Sequence, residues 1–440
     1  MKTSHRALSI LLLLGWVLPT ACGPTPEATL PPSNDGARPA PVNVSRSDRP
    51  RLEAAPVTDA NRAAWAEGNT AFAVDLYHVV SSQDGNLFFS PYSISVALAM
   101  TYAGAAGETA AQMADAMRFG LPPGQLHPAF NAYEQELEKR AKESGEGTPF
   151  ELSIANSLWG QESFEFRPEF LDLLAENYGA GMHLVDFMQD SEGARQAINA
   201  WVSDETRGKI EDLIPRGVLD SMTRLVLANA IYFKAGWLHG FNKDLTASEA
   251  FHRLDGSTVD VPMMHQTESF GYLRSANYRA LQMPYQTGDL SMVILLPDEG
   301  DFDSVQAALT PEMLREIAAG VSSTSVDVSL PKFSYDSSFE LNAALQALGM
   351  TDAFDQERAD FSGMDGARDL YIGDVLHKAF VAVDENGTEA AAATAVIMKL
   401  TSAMPGEPAV FKADRPFLYL VLDTQTGSVL FLGRVLDPAA

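Results

Sequence analysis

The chain is nearly without cysteine: among 440 residues only Cys22 carries a thiol. No intramolecular disulfide can form, and sites built from several thiolates, whether zinc or iron–sulfur, are excluded. Positive charge is also scarce. Lys and Arg number 31 against 58 Asp and Glu, a formal net charge of −27. Phosphate backbones repel such a chain, which argues against nucleic acid as a partner. The apolar run Ala7–Leu18 has only twelve residues, too short to span a bilayer. The usual catalytic signatures are missing as well. The chain has no G-x-S-x-G elbow, no G-x-x-x-x-G-K-[ST] loop, no H-E-x-x-H and no G-x-G-x-x-G. Its eight histidines, at 5, 78, 127, 183, 239, 252, 265 and 377, include no pair at metal-ligand spacing. A triad assembled in space leaves no such trace, but no motif points to an enzyme, a metal or a cofactor.

What is present is ordinary globular composition, 46% hydrophobic and 20% charged, which excludes a disordered, collagen-like or coiled-coil body. At about 150 residues per domain, length alone favours roughly three domains.

The N-terminus has the form of an export signal, residues 1–21. Lys2 and Arg6 precede the apolar run, and the small residues Thr20 and Ala21 precede Cys22. A solitary cysteine at that site resembles the lipid-attachment residue of bacterial lipoproteins. The match is imperfect, because Pro19 stands where the lipoprotein pattern favours Leu. Lipid anchoring at a bacterial cell envelope is the expectation; plain secretion with an incidental thiol is the alternative. Residues 22–58 are rich in proline, at 24, 26, 31, 32, 39, 41, 50 and 56, and poor in large apolar groups. They are expected to form a tether.

The folded body is expected over 59–440. Asp59 is a candidate N-cap for a helix through Trp65, Phe72, Leu76 and Val80. Ser90-Pro91 opens another helix, with Gly104 at its end. Further helices fit Glu108–Met117, His127–Lys142, Pro168–Tyr178, Ser191–Glu205 and Asp301–Ala318. Strands fit Phe150–Leu158, Arg224–Phe233, Thr258–Met264, Tyr278–Met283, Leu290–Leu296, Ser325–Phe333, Leu370–Val383, Phe417–Leu422 and Val429–Val435. Helices dominate the first third and strands the rest, without βαβ alternation. That pattern predicts an α+β fold with antiparallel-rich sheets.

Residues 384–416 stand out. A strand enters and another leaves at Phe417, and a connection of that length inside a compact domain is usually functional or disordered. Local propensity alone would make Ala390–Ala395 helical. The stretch Glu385-Asn-Gly-Thr-Glu-Ala-Ala-Ala-Ala-Thr-Ala resembles the hinge of a serpin reactive-centre loop. Phe411-Lys-Ala-Asp-Arg-Pro-Phe-Leu-Tyr-Leu-Val resembles the serpin signature beyond that loop. Asn86-Leu-Phe-Phe-Ser-Pro-Tyr-Ser-Ile, Ala228-Asn-Ala-Ile-Tyr-Phe-Lys-Ala-Gly-Trp, Leu330-Pro-Lys-Phe and Val375-Leu-His-Lys-Ala agree in order, over roughly 59–438. The resemblance implies one serpin domain, against the length estimate, with three β-sheets, eight or nine helices and an exposed loop.

It also implies inhibition of serine, and by extension cysteine, proteases. The loop is cut as bait, a covalent acyl-enzyme forms, and the cut loop inserts into the large sheet before deacylation. The implied hinge is Glu385, Gly387, Thr388, Glu389, Ala390, Ala391, Ala392 and Ala393. The implied reactive bond joins Thr401 to Ser402, with Lys399 and Leu400 as alternative reactive residues. Ser90, Ser93, Asn229 and His377 match the family's shutter, a polar cluster where strands part. Lys332 and Glu385 match the pair at the top of the sheet, the breach, with Trp237 nearby. None of these is catalytic, and satisfied buried polar groups would look the same.

The loop sequence suits insertion on its own terms. Thr388, Ala390, Ala392, Thr394, Val396, Met398 and Leu400 share one face, while Glu389 and Lys399 fall on the other. The first face is therefore free of charge and suited to burial. Gly387 to Thr401 is 15 residues, about 50 Å when extended at roughly 3.3 Å per residue. A non-inhibitory serpin that binds or stores is the alternative, disfavoured by the small, uncharged Thr388 and Ala390–Ala393. A monomer with the target protease as partner is expected.

Overall fold

The computed structural model describes residues 42–53, 57–143, 151–388 and 407–440. The signal segment 1–21, Cys22 and the tether as far as residue 41 lie outside the described residues. So do Glu389, Ala390–Ala393, Lys399, Leu400, Thr401 and Ser402.

Helices fill the first half. α1 (Asp59–Val80) is capped by Thr58, whose hydroxyl accepts from the Asn61 N–H, so the cap lies one residue before the expected Asp59. α2 (Pro91–Tyr102) is capped by Ser90 with proline in its first turn, as anticipated. α3 (Gly107–Ala116), α4 (Pro123–Glu143), α5 (Pro168–Tyr178) and α6 (Phe187–Glu205) follow. The helix expected over 301–318 is broken into α7 (Phe302–Ala307) and α8 (Pro311–Gly320). Thr310 caps α8 by accepting from the Met313 N–H, and Pro311 occupies its first turn, so the local chemistry starts a helix there instead of continuing one. The short α9 (Asn342–Ala347) and α10 (Ser362–Asp365) complete ten α-helices among the described residues.

The strands are β1 (Asn43–Ser45), β2 (Leu87–Phe89), β3 (Glu151–Gln161), β4 (Met182–Val185), β5 (Leu225–Gly236), β6 (Ala247–His252), β7 (Thr258–Arg274) and β8 (Tyr278–Pro284). After them come β9 (Leu290–Pro297), β10 (Ser322–Pro331), β11 (Phe333–Glu340), β12 (Asp374–Asp384), β13 (Gly387–Thr388), β14 (Ala409–Lys412), β15 (Phe417–Asp423) and β16 (Val429–Val435). They form two hydrogen-bonded sheets. The first has seven strands in the order β1-β4-β3-β5-β13-β12-β11. The second runs β14-β10-β7-β8-β9-β15-β16-β2, with β6 paired to β7. Two sheets replace the expected three because β7 is long enough to pair β6 and β10 along most of its length and β8 at its end. One ladder thereby joins what would otherwise be separate layers.

α2 lies buried along its whole length under the seven-stranded sheet, next to β3, β5 and β16. That burial explains why its sequence, Pro-Tyr-Ser-Ile-Ser-Val-Ala-Leu-Ala-Met, is apolar on every side. β9, β15 and β16 are buried throughout and read as continuous apolar runs.

Residues 42–53 depart from the expected free tether. Asn43, Val44 and Ser45 pair antiparallel with Leu184, His183 and Met182, so β1 is the outermost strand of the first sheet. The Pro-rich stretch has too little apolar surface for a core of its own. Its second half is instead held by backbone pairing and ion pairs on the folded body.

Candidate functional site

The hinge starts where β12 ends. Glu385 and Asn386 make a two-residue turn, and Gly387–Thr388 returns as β13. β13 lies between β5 and β12: Gly387 faces Gly236 and Asp384, Thr388 faces Ala235 and Val383. Gly387 has φ of 154°, and a Cβ there would collide with the carbonyl oxygen of Ala235. Glycine is thus required by the close approach of two backbones. The Thr388 side chain is buried, and its hydroxyl lies 2.8 Å from the Tyr285 hydroxyl. The expected inserting face does point inward at its first residue.

Around this seat is a polar and aromatic frame. The Tyr285 ring stacks on Trp237 at 4.8 Å, and Trp237 Nε1 donates to the Asp384 carbonyl at 3.0 Å. The Trp237 N–H donates to the Asn386 carbonyl and the Phe241 N–H to that of Glu385, both at 2.8 Å. Glu385 is 3% exposed. Its carboxylate accepts from Thr246 Oγ1 at 2.8 Å and from Lys332 Nζ at 2.9 Å. Burial pushes that carboxyl up, but the hydrogen bonds from Lys332 and Thr246 and the Lys332 charge hold it below the ordinary glutamate value. Lys332 and Glu385 therefore form a charged clasp on the first turn of the hinge, and Trp237 is a working part of the frame.

Below β13 the sheet is closed. β5 and β12 pair directly and in parallel from Val226 with Asp374 to Tyr232 with Phe380. Within that zipper the structure brings together Ser90, Ser93, Asn229 and His377, all fully buried. The register aligns His377 of β12, Asn229 of β5 and Asn156 of β3 in one row across three strands. The row sits over the N-terminus of α2. The Ser90 N–H donates to His377 Nε2 at 3.1 Å, so the ring proton lies on Nδ1 and is donated to Asn229 Oδ1. Asn229 Nδ2 donates to Ser93 Oγ at 2.7 Å and to Asn156 Oδ1. Ser93 Oγ donates to Asn156 Oδ1 at 3.2 Å, and Ser90 Oγ to the Leu430 carbonyl at 2.7 Å. Burial lowers the His377 pKa to about 3, so the ring is neutral at physiological pH.

Three members of this site were not anticipated. Tyr285 and Thr246 reach the hinge from residues over a hundred positions away, and nothing local marks them. Asn156 had a sequence signal, an amide on the strand face that also carries Leu152, Ile154 and Leu158. Among the described residues no group of His, Cys, Asp and Glu is arranged to hold a metal ion, and no helix is long and apolar enough to cross a membrane.

Comparison with known proteins agrees with this geometry. Residues 67–438 match the family model described as Serpin (serine protease inhibitor). The chain is 43% identical over 384 residues to leukocyte elastase inhibitor A of Rattus norvegicus, covering 85% of this chain and 99% of that protein. It is 40% identical over 369 residues to a serpin-like protein of Thermococcus kodakarensis, covering 84% of each. The crystal structure of tengpin, a thermophilic serpin in the native state, superposes with a TM-score of 0.79 at 30% identity, covering 90% of this chain and all of tengpin. The chain belongs to the serpin family of serine protease inhibitors.

Proposed function

We propose that the chain presents residues 389–406 as bait to an elastase-like serine protease and takes the cleaved loop into its seven-stranded sheet between β5 and β12. The protease serine attacks the Thr401 carbonyl, an ester forms and the amide to Ser402 breaks, with its nitrogen leaving as an amine. Insertion then outruns hydrolysis of the ester. The observation that carries this reading is β13, a two-residue strand already seated in the inserting position. Continued in the same register, Thr394 falls opposite both Asn229 and His377. Complete entry therefore has to part the His377–Asn229 contact, and the Thr394 hydroxyl replaces what that contact loses. A small β-branched Thr401 suits a shallow specificity pocket, and relatives named as leukocyte elastase inhibitors support the same class. Lys399 or Leu400 as reactive residue would instead suit trypsin-like or chymotrypsin-like enzymes.

The protein acts outside the cytoplasm as a monomer, exported by residues 1–21 and held at a bacterial envelope through lipid on Cys22. The signal-like segment and the solitary thiol support this placement. The test is incubation with a panel of serine and cysteine proteases. A complex resistant to SDS is expected, with a released C-terminal fragment whose mass starts it at Ser402. A fragment starting at Leu400 or Thr401 moves the reactive residue and the target class; cleavage without a stable complex removes the inhibitory reading.

A further inference from the structure

Apart from the hinge and the zipper, three buried polar side chains converge on one small cavity. Trp65 and Asn69 stand four residues apart on α1, so they share a face. Ser95 comes from α2. The three are 5%, 4% and 1% exposed. Trp65 Nε1, Asn69 Oδ1 and Ser95 Oγ have no hydrogen-bond partner among the described residues, and all three residues line a cavity of about 10 Å³. The orientation of the Asn69 amide is fixed by its other end. Its Nδ2 donates to Ser428 Oγ at 2.9 Å and to the Val429 carbonyl at 2.8 Å, which uses both hydrogens. Met117, Leu126 and Phe130 supply apolar wall. Gly68 lets the wall close, because a Cβ there would collide with the Arg118 carbonyl oxygen in the turn after α3.

The chemistry of these atoms selects their ligand. The indole N–H only donates, the Asn69 oxygen only accepts, and the Ser95 hydroxyl does either. An anion would face the Asn69 oxygen. An ammonium ion would leave the Trp65 N–H unmet, and an apolar group would leave all three unmet. A water molecule both donates and accepts, a volume of about 10 Å³ is close to the least that holds one, and about three bonds is usual for a buried one. We propose that the cavity is an internal water site. The water accepts from Trp65 Nε1, donates to Asn69 Oδ1 and shares its third bond with Ser95 Oγ. It thereby joins α2 to α1, and through Asn69 to Ser428 and Val429 at the start of β16. Ser95 lies two residues beyond Ser93, so the joint fixes the helix that carries the polar row beneath β5 and β12. This inference is independent of the loop-insertion reading.

The test uses the full chain with its tryptophan indole nitrogens labelled with nitrogen-15. The Trp65 signal is assigned by its loss in Trp65→Phe. We expect a nuclear Overhauser cross-peak from the Trp65 indole N–H to water, with the sign of a long-lived contact. It should persist in Ser95→Ala, which removes the hydroxyl whose proton exchange would imitate it. Ser95→Ala also separates the hydrated site from a dry one by the direction of its effect on stability. With water bound, the variant loses one bond, and its apparent unfolding constant at the wild-type denaturant midpoint rises about fivefold. In a dry cavity the variant sheds an unpaired buried hydroxyl and becomes more stable. A missing cross-peak in the wild type overturns the site. So does an unchanged or more stable Ser95→Ala, since Ser95 then bonds to nothing there. If Ser95→Ala does not fold, the wild-type cross-peak decides alone.

Discussion

Thr388 is buried against Tyr285 at the mouth of the strand gap, in a position with no room for a charge. Thr388→Arg would carry a guanidinium into that seat at a cost of several kcal/mol. Insertion then lags hydrolysis of the acyl ester. The variant should still be cut by the target but should no longer trap it, so the moles of inhibitor consumed per mole of protease inactivated rise steeply. Trapping at the original stoichiometry would show that insertion does not need an uncharged residue 388 seated between β5 and β12. His377 carries a second prediction. Its folded pKa of about 3 lies below the ordinary 6.5, so the unfolded chain binds the proton that the native ring refuses. Stability is then fully present above pH 6.5 and declines as pH falls toward 3, by up to about 1.4 kcal/mol per pH unit from this group. His377→Gln should be less stable at pH 7 and show a shallower loss in that window, measured by denaturant melts at a series of pH values. An unchanged slope would mean that the ring is protonated in the native state.

At the scale of elements, the decisive pair is β5 with β12, joined directly below the hinge and separated by β13 above it. Ala230 and Lys378 lie opposite each other in the closed stretch, at a spacing that suits a disulfide. The Ala230→Cys/Lys378→Cys variant, oxidised, should be cleaved as a plain substrate, and reduction should restore trapping. Trapping by the oxidised form would place insertion elsewhere. These elements were unequally legible in the sequence. Strands with one buried face or two, such as β9, β15 and β16, announce themselves by alternation or by apolar runs. The split between α7 and α8 was written in Thr310-Pro311 but hidden by the helical pattern on either side. β1 and β13 were invisible, because two or three residues carry no period; β1 is paired by the distant β4, and β13, besides its hairpin to β12, by the distant β5. The hinge and the polar row came from resemblance to a family, since no local rule places His377 beside Asn229, 148 positions away. Tyr285 and Thr246 escaped both routes.

For the whole molecule, the native state is a sheet with a strand position begun and left incomplete. β13 fills its top, the β5–β12 zipper closes the rest, and the Lys332–Glu385 clasp and the polar row hold the two halves at that boundary. Completing the sheet would replace the β5–β12 ladder with two ladders, a net gain of one, and bury the uncharged face of the loop. Intact protein is thus held short of its most stable arrangement. The direct measurement is thermal unfolding of the protein before and after a single cut in residues 389–406 by a protease that it does not trap. Loop insertion predicts that the cut form melts at a sharply higher temperature. Equal melting temperatures, with the cut confirmed by mass, would contradict it.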